Sequence, residues 1–272
     1  MKSFSKVLLT VLIGLAALLA VTCQRSTVVK TEPYSQEEFL VRQSMLGGNT
    51  FQYRVYVPAG RKPDSSLPVM LYLHGAGNRG NDNESQLNGL ADYIRQHPER
   101  FSFIVVIPQC GEDRFWDKDQ LDRANKALDD TVTEFGGDPN RLYLAGFSLG
   151  GYGVWNLATL NPGKFAAIVP MAGRVLPRSS EIKDVAPKIA QLSAEPDPYR
   201  AFADQMKGTA VWIFHGSNDP VVPVGSSRRM NAALHSAGSQ KVKFTEVEGA
   251  GHEPLGFQTP ELLQWLAEQK KD

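Results

Sequence analysis

The sequence predicts an α/β protein built on a mostly parallel sheet, and three observations carry that prediction. Short, continuous apolar runs recur along the chain, amphipathic segments with helical spacing lie between them, and a cluster of glycines around one serine follows one of the runs. Strands buried on both faces of a parallel sheet read as continuous apolar runs, and the crossovers that join them are helices. The 272 residues, 42% apolar and 21% charged, suffice for one such domain with a substantial core.

The first 22 residues stand apart. Lys2 and Lys6 precede an uncharged run, Val7 to Val21, rich in Leu and Ala, and Cys23 follows. That layout predicts an export signal over 1–22. At 15 residues the run falls short of the roughly 20 that a membrane-spanning helix needs. A cysteine at that place resembles the lipobox of bacterial lipoproteins, which implies lipidation of Cys23 and an envelope location; simple secretion is the alternative. Without Lys2 and Lys6 the balance is 27 basic to 29 acidic residues, so no basic footprint for nucleic acid exists. Cys110 is the other cysteine and reads as a packed small hydrophobe.

A polar segment, 23–48, leads into the predicted domain at 49–272. FQYRVYV (51–57) alternates as a half-exposed strand does. VMLYL (69–73), FIVVI (103–107), LYLA (142–145), AAIVPM (166–171) and VWIF (211–214) read as buried strands, and KVKFTEV (241–247) as an edge strand. Asp119 to Phe135 places Leu121, Ala124, Leu128, Val132 and Phe135 on one helical stripe. The segments 225–237 and 260–270 behave similarly. The stretch 174–209, with its AEPDPY, is long for a connection and reads as an insertion.

Ligands of such sheets bind beyond the carboxyl ends of the strands. There stands Gly146-Phe147-Ser148-Leu149-Gly150, a Gly-x-Ser-x-Gly pattern between a strand and a helix. A nucleophilic serine needs a base, and the base an orienting acid. Of the three later histidines, His215 ends a buried strand and reads as structural, while His235 sits in an amphipathic helix. His252, in the loop EGAGHEPLG, can reach over the strand ends. Asp219, in HGSNDPVVP just past VWIF, is the predicted acid, with Glu246 and Glu248 as alternatives. Backbone N–H groups of Leu149 and Ala76 are the predicted oxyanion donors. Gly75 to Gly80 also fits Gly-x-Gly-x-x-Gly, but Ile107-Pro108-Gln109 supplies no ribose-binding acid at the next strand end, which argues against a dinucleotide. HExxH and paired-cysteine patterns are lacking, so neither metal nor cofactor is expected.

LPVMLYLHGAGNRGNDN, IPQCGEDRFW, DPNRLYLAGFSLGGYGVWNLA, VWIFHGSNDPVVP and GAGHEPL together make the chain resemble an α/β-hydrolase. The resemblance is greatest to the branch of predicted peptidases and carboxylesterases related to feruloyl esterases and polyhydroxybutyrate depolymerases. It implies a central sheet begun by antiparallel strands, a Ser148-His252-Asp219 triad, and Ala76 and Leu149 as oxyanion donors. A carboxylic ester, small or carbohydrate-linked, is then the expected substrate, and 174–209 a lid or acyl pocket. Trp116 and Arg79 are candidates for the pocket mouth; a loop-packing aromatic is the equal alternative for Trp116, and a surface salt bridge or loop brace the favoured one for Arg79. A peptidase and a non-catalytic surface lipoprotein are the alternatives.

Overall fold

The computed structural model describes residues 39–62 and 65–271. The predicted export segment 1–22, Cys23 and the greater part of 23–48 lie outside them. Eight strands form one sheet: β1 (Leu40–Leu46), β2 (Asn49–Tyr56), β3 (Val69–Leu73), β4 (Ile104–Pro108), β5 (Leu142–Phe147), β6 (Ala167–Met171), β7 (Ala210–Gly216) and β8 (Val242–Val247). Their order is β1-β2-β4-β3-β5-β6-β7-β8. The β1–β2 and β2–β4 pairs are antiparallel, and the remaining pairs are parallel. The expected α/β-hydrolase architecture is therefore present.

The helices are α1 (Leu90–Gln96), α2 (Lys118–Phe135), α3 (Leu149–Leu160), α4 (Pro187–Ser193), α5 (Pro198–Asp204), α6 (Gly225–Ser236), α7 (Leu255–Gln258) and α8 (Glu261–Glu268). Burial on both faces explains the continuous strand runs. In β3, Leu71 and Leu73 join one core with Val106, Leu144, Val154 and Trp155, while Met70 and Tyr72 join the other with Val105, Tyr143 and Phe257. Each such side chain stabilises the fold by about 1.5–3 kcal/mol through area removed from water. α2 starts where Asp117 accepts a hydrogen bond from the Gln120 N–H (3.1 Å) and stops at Gly136, whose φ of 57° ends the helix in a left-handed cap.

Two regions depart from the sequence reading. β1 forms inside the segment read as polar, because its polar residues are tied to α2: Arg42 Nε donates to Glu134 (2.7 Å) and Ser44 to Asp130. The stretch 174–209 holds α4 and α5 and sends Ile189, Phe202, Ala203 and Met206 into the core. It is fastened to α3, with Arg174 over the Tyr152 ring at 3.9 Å and Lys188 Nζ donating to the Thr159 carbonyl at 2.8 Å.

Candidate active site

β5 ends at Phe147 and α3 begins at Leu149, so Ser148 alone makes the turn. It does so at φ 56° and ψ −114°, a positive φ that costs a non-glycine residue about 1–3 kcal/mol and that the surroundings must enforce. They enforce it by backbone approach. The Ser148 N–H donates to the Met171 carbonyl at 2.8 Å. A Cβ placed on Gly150 would stand 1.8 Å from the Leu73 carbonyl oxygen, so only glycine fits there. Crowding of backbone on backbone is why glycines surround the serine.

The partners arrive from the far side of the sheet. Asp219 follows β7, and His252 lies between β8 and α7. His252 Nε2 is 2.8 Å from Ser148 Oγ, and its Nδ1 is 2.7 Å from Asp219 Oδ2. A carboxylate only accepts, so Nδ1 carries the proton and Nε2 is left to accept from the serine hydroxyl. The Asp219 side chain is fully buried, and its Oδ1 accepts from the backbone N–H groups of Val221 and Val222, each at 2.8 Å. Burial by itself would raise the Asp219 pKa. Its hydrogen bonds from His252, Val222 and Val221 outweigh burial and hold it below the ordinary carboxylate value.

The alternative side chains stand elsewhere. Glu246 pairs with Arg228 at the surface, and His235 is exposed on α6. The loop carrying His252 rests on Gly216, where a Cβ would come within 2.3 Å of the Ala250 and Gly251 carbonyl oxygens.

Ala76 follows β3, beside the serine. A Cβ on Gly75 would touch Ser148 Cβ at 3.5 Å, which places this loop against the elbow. His74, buried, sets the loop's orientation. Its Nε2 accepts from the Cys110 N–H at 2.9 Å, so Nδ1 bears the proton and donates to the Gly75 carbonyl at 2.7 Å. In a planar trans peptide the N–H points away from the carbonyl, so the Ala76 N–H is turned away from the His74 ring. Neither that N–H nor the one of Leu149 donates to another of the described residues. Burial first, and the nearby Arg79 charge, lower the His74 pKa to about 4, against a hydrogen bond to Gly75 that raises it.

Of the two readings open for Trp116 and for Arg79, the pocket mouth is the one the structure does not show. Trp116 is 1% exposed and does not stand at a pocket mouth: its ring packs edge-on to His74, and Nε1 donates to the His74 carbonyl at 3.1 Å. Arg79 is exposed, but its guanidinium turns back on its own loop, donating to the Ala76 carbonyl (2.9 Å) and the Arg114 carbonyl (3.1 Å). Both residues support the loop that bears Ala76.

The sequence reading passed over His74 and gave His215 only a structural part. His215 is wholly buried, and its Nε2 faces the Val222 carbonyl at 2.8 Å and Asp219 Oδ2 at 3.3 Å. Both are acceptors, so Nε2 carries the proton and Nδ1 accepts from the Ser227 hydroxyl at 2.7 Å. Burial lowers its pKa, against the Val222 hydrogen bond and the Asp219 charge. One signal was available for both histidines: each directly follows a buried apolar run and directly precedes a glycine.

A model of the prolyl oligopeptidase family matches residues 113–269. NocK of Nocardia uniformis subsp. tsuyamanensis, named as an esterase, is 25% identical over 242 residues, covering 85% of this chain and 70% of that protein. An uncharacterized secreted protein of Arthroderma benhamiae is 26% identical over 250 residues, 86% of this chain and 26% of that one. Among solved structures, a thermostable esterase superposes with a TM-score of 0.67 at 26% identity, covering 87% of this chain and 64% of that chain. The chain thus spans about a quarter of the secreted relative and just under two thirds of the esterase.

Proposed function

The chain belongs to the prolyl oligopeptidase family within the α/β-hydrolases, and from that premise we propose that it is a serine hydrolase of carboxylic esters. The observation that supports this most is the unbroken hydrogen-bond chain from Ser148 through His252 to Asp219. Ser148 Oγ attacks the ester carbonyl while His252 Nε2 takes its proton. The resulting imidazolium is held by the buried Asp219 carboxylate, which is itself kept ionised by the Val221 and Val222 N–H groups. The N–H groups of Leu149 and Ala76 receive the oxyanion; loss of one such donor costs about 10²–10³ in rate. His252 then protonates the departing alkoxide, and water hydrolyses the acyl-enzyme by the same path in reverse. The thermostable esterase and NocK, matched along most of this chain, favour ester substrates.

Peptide cleavage is the second reading, and the family description favours it. The two part at the leaving group, since an amide nitrogen needs protonation before it can depart. Turnover is to be compared across p-nitrophenyl esters of increasing acyl length, feruloylated sugars and peptide p-nitroanilides. Esters are expected to be cleaved faster throughout; anilide turnover well above ester turnover would replace this reading with a peptidase. We further propose export directed by residues 1–22 and lipidation at Cys23. Cys23→Ser should release the protein from membranes, and an unchanged membrane fraction would refute the anchor.

A further inference from the structure

The rim that carries Ser148 also carries a recess of about 400 Å³, beyond the ends of β2 and β4. It exists because β2 overshoots its neighbour. Pairing with β4 runs from Tyr56↔Val105 to Tyr53↔Pro108, so Asn49 to Gln52 project past the end of β4. The loop after β3 (80–83), the segment after β4 (109–111) and the first turns of α2 close the gap.

Six carboxamides line it: Gln43, Gln52, Asn81, Asn83, Gln109 and Gln120. They fall into two groups. Three form a braced floor. Gln109 Oε1 accepts from the Asn83 N–H at 2.8 Å while its Nε2 donates to Asp82 at 2.7 Å, and Gln120 Oε1 accepts from the Gly111 N–H at 3.0 Å. Asn83, buried and held at φ 54°, accepts from Gln86 Nε2 at 2.7 Å. The other three are free. Gln43 and Gln52 face each other in the β1–β2 register, and with Asn81 they are exposed and hold no side-chain hydrogen bond among the described residues. Arg123, the one cation among the described lining residues, is paired with Asp119 at 3.3 Å, and its guanidinium lies 5.9 Å from the Phe51 ring centre. Among the described residues no carboxylate lines the recess.

A carboxamide offers donor and acceptor side by side, the complement of a hydroxyl that is both. An apolar ligand would leave these amides unsatisfied, and an ionic one would find no unpaired countercharge. A peptide strand would find only four residues of open edge, Asn49 to Gln52, a short stretch for an added strand. We propose that this recess binds a neutral oligosaccharide. Counted along the sheet from β5, it lies two to three strand spacings away, roughly 10–14 Å. That is the reach of a short glycan whose ester carbonyl sits at Ser148. This rests on the ester-hydrolase reading and adds that the alcohol half of the substrate is carbohydrate.

The test is calorimetric titration of the purified chain with unesterified xylotetraose, cellotetraose, mannotetraose and maltotetraose. At least one should bind, and Gln43→Ala/Gln52→Ala should weaken that binding by about tenfold or more, as loss of two partly exposed hydrogen bonds implies. Gln264→Ala, on the distant surface of α8, should leave it unchanged. No binding by any of the four, or binding that survives the double substitution, overturns the proposal. Fluorophosphonate labelling of the same preparation keeps the two readings separate. Labelling without sugar binding sinks the recess alone, whereas sugar binding without labelling keeps the recess and sinks the hydrolase.

Discussion

Ser148 and His252 reach one hydrogen bond from opposite kinds of structure. The serine stands at the end of a central strand, its backbone gripped by carbonyls of β3 and β6 and by glycines that admit no side chain. The histidine stands on a loop at the sheet margin, beyond β8, with its side chain 17% exposed. Its loop packs by backbone on Gly216, but its imidazole is held by side-chain contacts: Asp219 on one nitrogen, Ser148 on the other, and the Phe147 ring at 4.8 Å. The nucleophile is thus fixed by backbone packing at the sheet, and the imidazole of the base by a few polar bonds above a backbone-packed loop. Substitutions at the two places should differ accordingly, chemistry and fold separating cleanly in the base's arm.

The largest effect should come at the elbow's side chain. Ser148→Ala removes the nucleophile yet keeps the backbone turn, so kcat should fall by about 10⁶ while thermal unfolding stays within a degree or two of wild type. Equal residual activity in an ester assay would break the comparison at once. Asp219→Asn tests the arm. The neutral carboxamide so introduced cannot hold the imidazolium, and kcat should drop by about 10⁴ with Ser148 still in place.

His74 probes the support beneath the elbow through stability. Its folded pKa of about 4 lies below the unfolded 6.5, so the unfolded chain binds more protons between those values. The contribution is therefore complete above pH 6.5 and is lost as pH falls toward 4, amounting to about 3 kcal/mol. Denaturant titration across that range should show the loss, and His74→Gln should flatten it; an equal slope in both would assign the loss to other groups. The smallest effect belongs to His215. His215→Asn removes an N–H that donates to the Val222 carbonyl and stands 3.3 Å from Asp219, and loss of such a bond costs about 0.5–1.5 kcal/mol, or roughly 2–10-fold in kcat/KM. A change below twofold, with the variant folded, would make His215 a spectator.

The same contrast explains what could be read from the chain. The central strands were legible because two-sided burial writes an unbroken apolar run, as in Val69 to Leu73. Ser148 was legible because its glycines are a local consequence of local crowding. β1 was not, since Arg42 and Ser44 become strand residues only by bonding to Glu134 and Asp130, some ninety positions on. Trp116 stayed open between pocket mouth and loop packing because an aromatic in a polar loop carries no mark of the cavity it fills, here against Gly153, where a Cβ would come within 2.9 Å of the indole. His74 and His215 act through partners that the fold alone brings near. α4 and α5 escaped because the proline- and acid-rich stretch between them masks two short helices of seven residues each.

The central claim is that one hydroxyl, at residue 148, is activated by the imidazole of residue 252. Treatment of the intact protein with a fluorophosphonate, followed by mass mapping of the adduct, tests it most directly. A single adduct on Ser148, absent from Ser148→Ala and strongly slowed in His252→Ala, is the predicted result. An adduct on another serine, or labelling indifferent to His252, would contradict it.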